Sequence, residues 1–175
     1  MIVVRFDVND AGLRDTFLRE TALSTIRNLD EAAAPRWGRM TAQQMIEHLL
    51  WAVELSTGRV HIECLVPDTE LPRMKRFLYS NRPGPRDFPN PALARGLPPL
   101  RHPNLADAMA GLGRELEHFL SARHEPARRF THPIFGALNH EEWHRTHYKH
   151  LHHHLHQFGL IESAYPHAPP GDLPR

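Results

Sequence analysis

Histidine is the residue type in this chain whose number and placing could do chemistry. There are 15 histidines, and eight of them fall between His140 and His156. At 3.6 residues per turn, positions four apart lie about 40° apart around a helix. Read as a helix, the segment has an inward stripe of Trp143, His147, His150, Leu151, His154, Leu155 and Phe158. His144, Lys149, His152 and His156 then fall toward solvent. His150 and His154 form an i, i+4 pair, a spacing that lets two imidazoles aim their nitrogens at one ion about 2.0–2.1 Å away. A third nitrogen must come from elsewhere. His48 is the one histidine on the inward face of another well-marked helix near its middle. His118 competes, but Phe119 and Leu120 beside it fit the core stripe of their own helix better. A single inward histidine is more often a hydrogen-bonded core residue than a ligand; the pair together with a third on another helix favours a metal. HLHHHLHQF is not an expression tag, because leucines in register with the stripe interrupt it and ordinary sequence follows.

Three histidine ligands leave a coordination position open, the pattern of catalytic rather than structural sites. An ion there would lower the pKa of a coordinated water or thiol and create a nucleophile at neutral pH. Three neutral imidazoles suit zinc, the default expectation, and also nickel, iron, copper or manganese. Glu47, Trp51, Trp143, His147 and Tyr148 could line the pocket, with the two tryptophans fitting a core role better. His147, one turn before His150, is the candidate catalytic residue, as a base or proton shuttle; its alternative is inward packing with a backbone hydrogen bond. Such a site suits a metal-dependent hydrolase or a non-catalytic metal-binding stress or interaction module.

The elements that must position these histidines read as four helices. The first runs from Asn9 or Asp10 to about Glu31, with an imperfect stripe of Leu13, Phe17, Ala22, Ile26 and Leu29. The second starts at a Thr41/Gln44 capping box with Met40 and Met45 at the staple positions, carries Met45, His48, Leu49, Ala52 and Val53 inward, and fades at Gly58. A long crossover covers residues 57–103 and holds nine of the chain's 16 prolines. Each proline removes a donor and restricts its predecessor. One short helix fits inside it, Glu70 to Ser80. The third long helix follows Asn104 and repeats Leu105, Ala108, Met109, Leu112, Leu116, Phe119 and Leu120 with helical spacing. After the connection RRFTHPIFGAL, the fourth is capped by Asn139 with Glu142, stapled by Leu138 and Trp143, and stopped by Gly159. The tail, residues 161–175, reads as irregular. The expected fold is an all-α four-helix bundle with a long Pro-rich crossover between helices 2 and 3, in one domain over residues 1–175.

Bulk properties narrow the classes. The chain has 175 residues, 41% of them apolar, with 21 basic and 20 acidic residues for a net charge of +1. That balance gives no reason to expect a nucleic acid or a membrane surface as partner. A small-molecule substrate is the expected partner, and a homodimer is compatible with such a bundle. No apolar run approaches the roughly 18 residues of a membrane span. MIVVRFDVND lacks the marks of a signal peptide. Cys64 is the only cysteine, so no intrachain disulfide forms, and a cytoplasmic location fits. Arg73, Lys75, Arg76, Arg82 and Arg86 gather in the crossover, where a solvated loop is the plainer reading than a mouth for acidic substrates.

Two segments carry a family likeness. WGRMTAQQMIEHLL and, about a hundred residues later, HPIFGALNHEEWHRTHYKHLHHHLHQFGL resemble the DinB-like (YfiT-like) metal-binding bundle superfamily. The likeness is nearest to a bacterial branch with W-G-x-M-x-x-x-x-M-x-x-H and H-Y-K-H-L-x-H-H-L-x-Q-F segments, and spans roughly residues 35–160. The resemblance implies a divalent metal held by a histidine of the second helix and an H-x-x-x-H pair on a later one, matching His48, His150 and His154. It also implies, from thiol-dependent transferases and isomerases among such proteins, a third function, a metal-dependent transferase that activates a small thiol, with a low-molecular-weight thiol cosubstrate such as bacillithiol or mycothiol. The H-H-R-G-Q string of many members is replaced here by His153, His154, Leu155, His156 and Gln157, so no role of its Arg-Gly portion carries over.

Overall fold

Asp10 opens the first helix: its side chain accepts from the Leu13 amide, pairing one of the donors a first turn leaves free. The computed structural model describes residues 2–86, 88, 90–94, 96–122 and 127–164. Helix α1 covers residues 11–26, with α-helical Ala11–Thr16 and Ala22–Ile26 on either side of a π turn, Phe17–Thr21. That turn accounts for the imperfect stripe. Phe17 and Ala22 are five apart, and the Ala22 amide bonds the Phe17 carbonyl, an i→i+5 step that keeps both side chains buried. The helix stops before Glu31, because the chain turns through Asn28 and Leu29 back onto the carbonyls of Thr25 and Ile26.

Helix α2, Ala42–Thr57, begins at the Thr41/Gln44 capping box and ends at Gly58, whose φ of 77° is left-handed. Phe130 lies over this glycine so closely that an added Cβ would sit 2.4 Å from its ring. Helix α3, Leu71–Leu78, is the short helix of the crossover, which also holds a 3-10 turn, Pro91–Leu93. Helix α4, Leu105–Ser121, is capped by Asn104. Helix α5, His140–Gln157, starts at a reciprocal Asn139/Glu142 capping box. Helix α2 packs on α4 and α5, and α1 closes against α5 and α4. Met45, Leu49, Leu112, Leu116, Trp143 and Leu151 lie in the one cluster of buried apolar residues between them.

The chain is mostly helical but not all-α. Strand β1, Ile2–Arg5, pairs in parallel with β4, Ile161–Ala164, in the register Ile2 to Ile161 and Arg5 to Ala164. The tail expected to be irregular from residue 161 therefore starts as a strand, and residues 165–175 lie outside those described. RRFTHPIFGAL is a hairpin rather than a plain connection: β2, Phe130–His132, runs antiparallel to β3, Gly136–Leu138. His132 ties its loop, its Nδ1 accepting from the amides of Ile134 at 3.0 Å and Phe135 at 3.3 Å.

The expected solvent face of α5 is also corrected. His144, Lys149 and His152 are buried, and His156 is half-buried. Helix α1, the β1 lead-in and the crossover cover the side that helical phase assigns to water. His152 stacks on Phe17 at 4.1 Å, meets Phe6 and Tyr148 edge-on, and bonds Ser163. Lys149 donates to the carbonyls of Ser80 and Arg82, both at 2.7 Å, with its ammonium 3.9 Å from the Phe77 ring centre. Burial lowers its pKa to about 7. A helix enclosed on nearly all sides cannot be read as amphipathic.

Candidate metal centre

Helix α2 supplies His48, and α5 brings His150 and His154 to it from the facing side. His48 Nε2 lies 2.9 Å from His150 Nε2, and His150 Nε2 lies 3.0 Å from His154 Nε2. The three donor nitrogens all fall within 4.8 Å of one another. Nitrogens bound tetrahedrally at roughly 2.0–2.1 Å from an ion sit about 3.3 Å apart, so this spacing is close to what a shared metal asks. No Cys, Asp or Glu belongs to the group.

The protonation pattern points the same way. Gln157 Nε2 donates to the Trp37 carbonyl at 2.8 Å, which turns Oε1 toward His154 Nδ1, 2.7 Å away. His154 therefore carries its proton on Nδ1 and offers a lone pair at Nε2. Such an outer hydrogen bond fixes the tautomer and ring orientation of a ligating histidine. A proton on His150 Nε2 could be donated to one neighbour at a time, whereas a cation can be shared by all three lone pairs. Burial holds the His48 pKa down to about 4, with nearby His153 adding to the effect. Burial likewise keeps His150 and His154 well below their ordinary range, helped by the surrounding imidazoles. All three are neutral at neutral pH, the state a metal requires. The donor set fits a divalent ion, and the ion's identity is open among those that take imidazole.

A cleft of about 150 Å³ borders His48, between α2 and the crossover. Glu47 and Trp51 line it, as expected. The Glu47 carboxylate is fully engaged: Oε2 accepts from the Arg101 amide at 2.7 Å, and Oε1 from the His102 amide and Gln43 Nε2, both at 3.1 Å. These bonds outweigh burial and hold its pKa below the usual carboxylate value. Glu47 thus straps the crossover to α2.

The other residues expected at the pocket lie elsewhere. Trp143 packs in the core and donates to the Phe130 carbonyl. Tyr148 accepts from the Asp7 amide and donates to the Arg5 carbonyl, tying the N-terminal lead to α5. His147 is fully buried, with Nε2 2.8 Å from Ser56 Oγ and its ring stacked on Trp143 and edge-on to Phe119. It is not one of the converging group and does not border the cleft. His118 is exposed on α4, so it does not compete with His48. Sequence reasoning missed Gln157 as the residue that orients His154. Its spacing, three beyond His154 on one helix, was the available signal.

Compared with known protein families, with curated proteins and with solved structures, the chain matches none. What stands on the geometry is a mainly helical fold with a buried three-histidine cluster that could bind a metal. No helix among the described residues is long and apolar enough to cross a membrane.

Proposed function

We propose that this chain is a metal-dependent enzyme of the DinB-like kind, with a divalent ion, zinc before other candidates, held by His48, His150 and His154. The observation that carries the reading is the convergence of three buried imidazole nitrogens, one with its lone pair fixed inward by Gln157. When bound, the ion supplies a Lewis acid at which a small thiol or a water becomes a nucleophile near neutral pH. The chain's own residues do the rest. Burial keeps the imidazoles neutral, Gln157 orients His154, and Glu47 holds the crossover over the cleft where a reactant can approach His48. His147 enters as a positioning residue whose hydrogen bond with Ser56 locks α5 to α2.

Metal analysis of untagged protein tests the site. Wild type should hold one ion per chain and His150→Ala should lose it; unchanged stoichiometry in the variant overturns the assignment. A panel of electrophiles with and without low-molecular-weight thiols tests the chemistry. Turnover that requires a thiol and is lost in His150→Ala supports the transferase reading, and thiol-independent turnover moves it to hydrolysis.

A further inference from the structure

The cleft beside His48 has a lining that selects what can enter it. Its volume, about 150 Å³, is that at which an apolar cavity accepts a single benzene ring. Most of its wall is apolar: Trp51 from α2 faces Leu93, Leu97, Pro98, Pro99 and Leu100 of the crossover. The Trp51 ring lies near parallel to His48, 25° between planes and 6.3 Å between centres.

Two charged side chains also line it, and neither has charge to spare. Glu47 is bonded at both oxygens by the amides of Arg101 and His102 and by Gln43. The Arg101 guanidinium pairs with Glu54 through two contacts, 2.9 Å and 3.2 Å. With no metal bound, a charged ligand entering here would lose hydration with no opposite charge to replace it; a bound ion would add its own charge. Gln44 supplies a donor. Its Oε1 accepts from the Thr41 amide at 2.9 Å in the capping box, which fixes the amide's orientation and commits its NH2 to the other side, a polar group beside the paired Glu47 and Arg101 and the His48 ring.

We infer that this cleft is the reactant-binding site of the proposed metal enzyme, and that it selects neutral, mostly apolar molecules about one aromatic ring in size that turn a hydrogen-bond acceptor, such as a carbonyl, to Gln44. The placing of the reactant against the metal centre rests on the metal-enzyme reading; the selectivity rests on the lining alone.

The experiment titrates the full chain, metal-loaded and metal-free, with acetophenone, toluene and benzoate as probes, followed by NMR. In the metal-free chain acetophenone should bind, and benzoate at least about tenfold more weakly, since the two differ mainly in charge; in the loaded chain the ion should narrow that difference by attracting the carboxylate. Leu97→Glu, on the half-buried crossover, should weaken acetophenone by a similar factor with metal content unchanged. Gln44→Glu keeps the capping-box acceptor but removes the donor, and should weaken acetophenone about fivefold more than toluene. In cobalt(II)-loaded protein the acetophenone resonances should broaden. Benzoate binding to the metal-free chain as tightly as acetophenone, or Leu97→Glu leaving binding intact, overturns the selectivity. Binding without cobalt broadening overturns the placement. Absence of metal uptake alongside selective acetophenone binding overturns the metal-enzyme reading while supporting the selectivity.

Discussion

Gln157 Oε1 lies 2.7 Å from His154 Nδ1, with the other end of the same amide held by the Trp37 carbonyl. The ring of His154 is thereby fixed in orientation and tautomer before any ion arrives. Gln157→Leu should weaken metal affinity by about 10–100-fold, the usual cost of losing an outer hydrogen bond to a ligating histidine. Competition with a chelator measures this. Gln157→Glu keeps an acceptor for the same proton but loses the bond to the Trp37 carbonyl, and should fall between wild type and Gln157→Leu.

Gly58 combines a left-handed backbone with a ring standing where a Cβ would go. Gly58→Ala should destabilise the fold by about 1–3 kcal/mol, from backbone strain and the clash with Phe130. Urea denaturation checks this, with a lowered midpoint and an unchanged slope expected.

The Glu47 strap predicts a separation of stability from metal binding. Glu47→Ala leaves the Arg101 and His102 amides without their acceptor and frees the crossover. Limited proteolysis should then cut within residues 93–101 several-fold faster than in wild type, while metal stoichiometry stays the same. Equal cleavage rates would remove Glu47 from this role.

Acid should destabilise the metal-free protein through histidines buried in the neutral state. Burial lowers the pKa of His132 to about 3 and that of His144 to about 4, Arg14 adding to the second. Below about 6.5 the unfolded chain binds protons that the folded one does not, so stability is intact above that pH and falls as pH drops toward 4. The loss from the two together should be on the order of a few kcal/mol. His132→Asn can keep an acceptor for the Ile134 and Phe135 amides without titrating, and should flatten the dependence. An unchanged slope in that variant would assign the acid sensitivity to other groups.

The local signals in the sequence were the ones that held. Both capping boxes, Thr41 with Gln44 and Asn139 with Glu142, form as read, because a cap is settled within four residues. His48, His150 and His154 were legible for a related reason: an i, i+4 pair is a property of one helix, and Met45, Ala52 and Val53 mark the buried side of the other. The covering of α5 was not legible. Burial of His144, Lys149 and His152 depends on Arg14 and Phe17 of α1, on Phe6, and on the carbonyls of Ser80 and Arg82, all distant in sequence. Strand β4 was missed because Ile161–Ala164 is four residues long and its partner is Ile2–Arg5 at the other end of the described chain. The role of Glu47 as a strap was hidden because its partners in the crossover are backbone amides, which no side-chain pattern announces.

That terminal strand pair has a kinetic consequence. The ladder between Ile2–Arg5 and Ile161–Ala164 closes a loop that contains every helix among the described residues. The entropy of closing so long a loop must be overcome before a ladder bond repays any of it. The helices therefore dock first, and the ladder zips last over the finished core. The order reverses on opening: amides of Val3 and Val4 should exchange with solvent well before those of α2 or α5. The clasp that seals Phe6 against His152 is the first cooperative unit to come undone, and the histidine centre, anchored on the two innermost helices, is among the last.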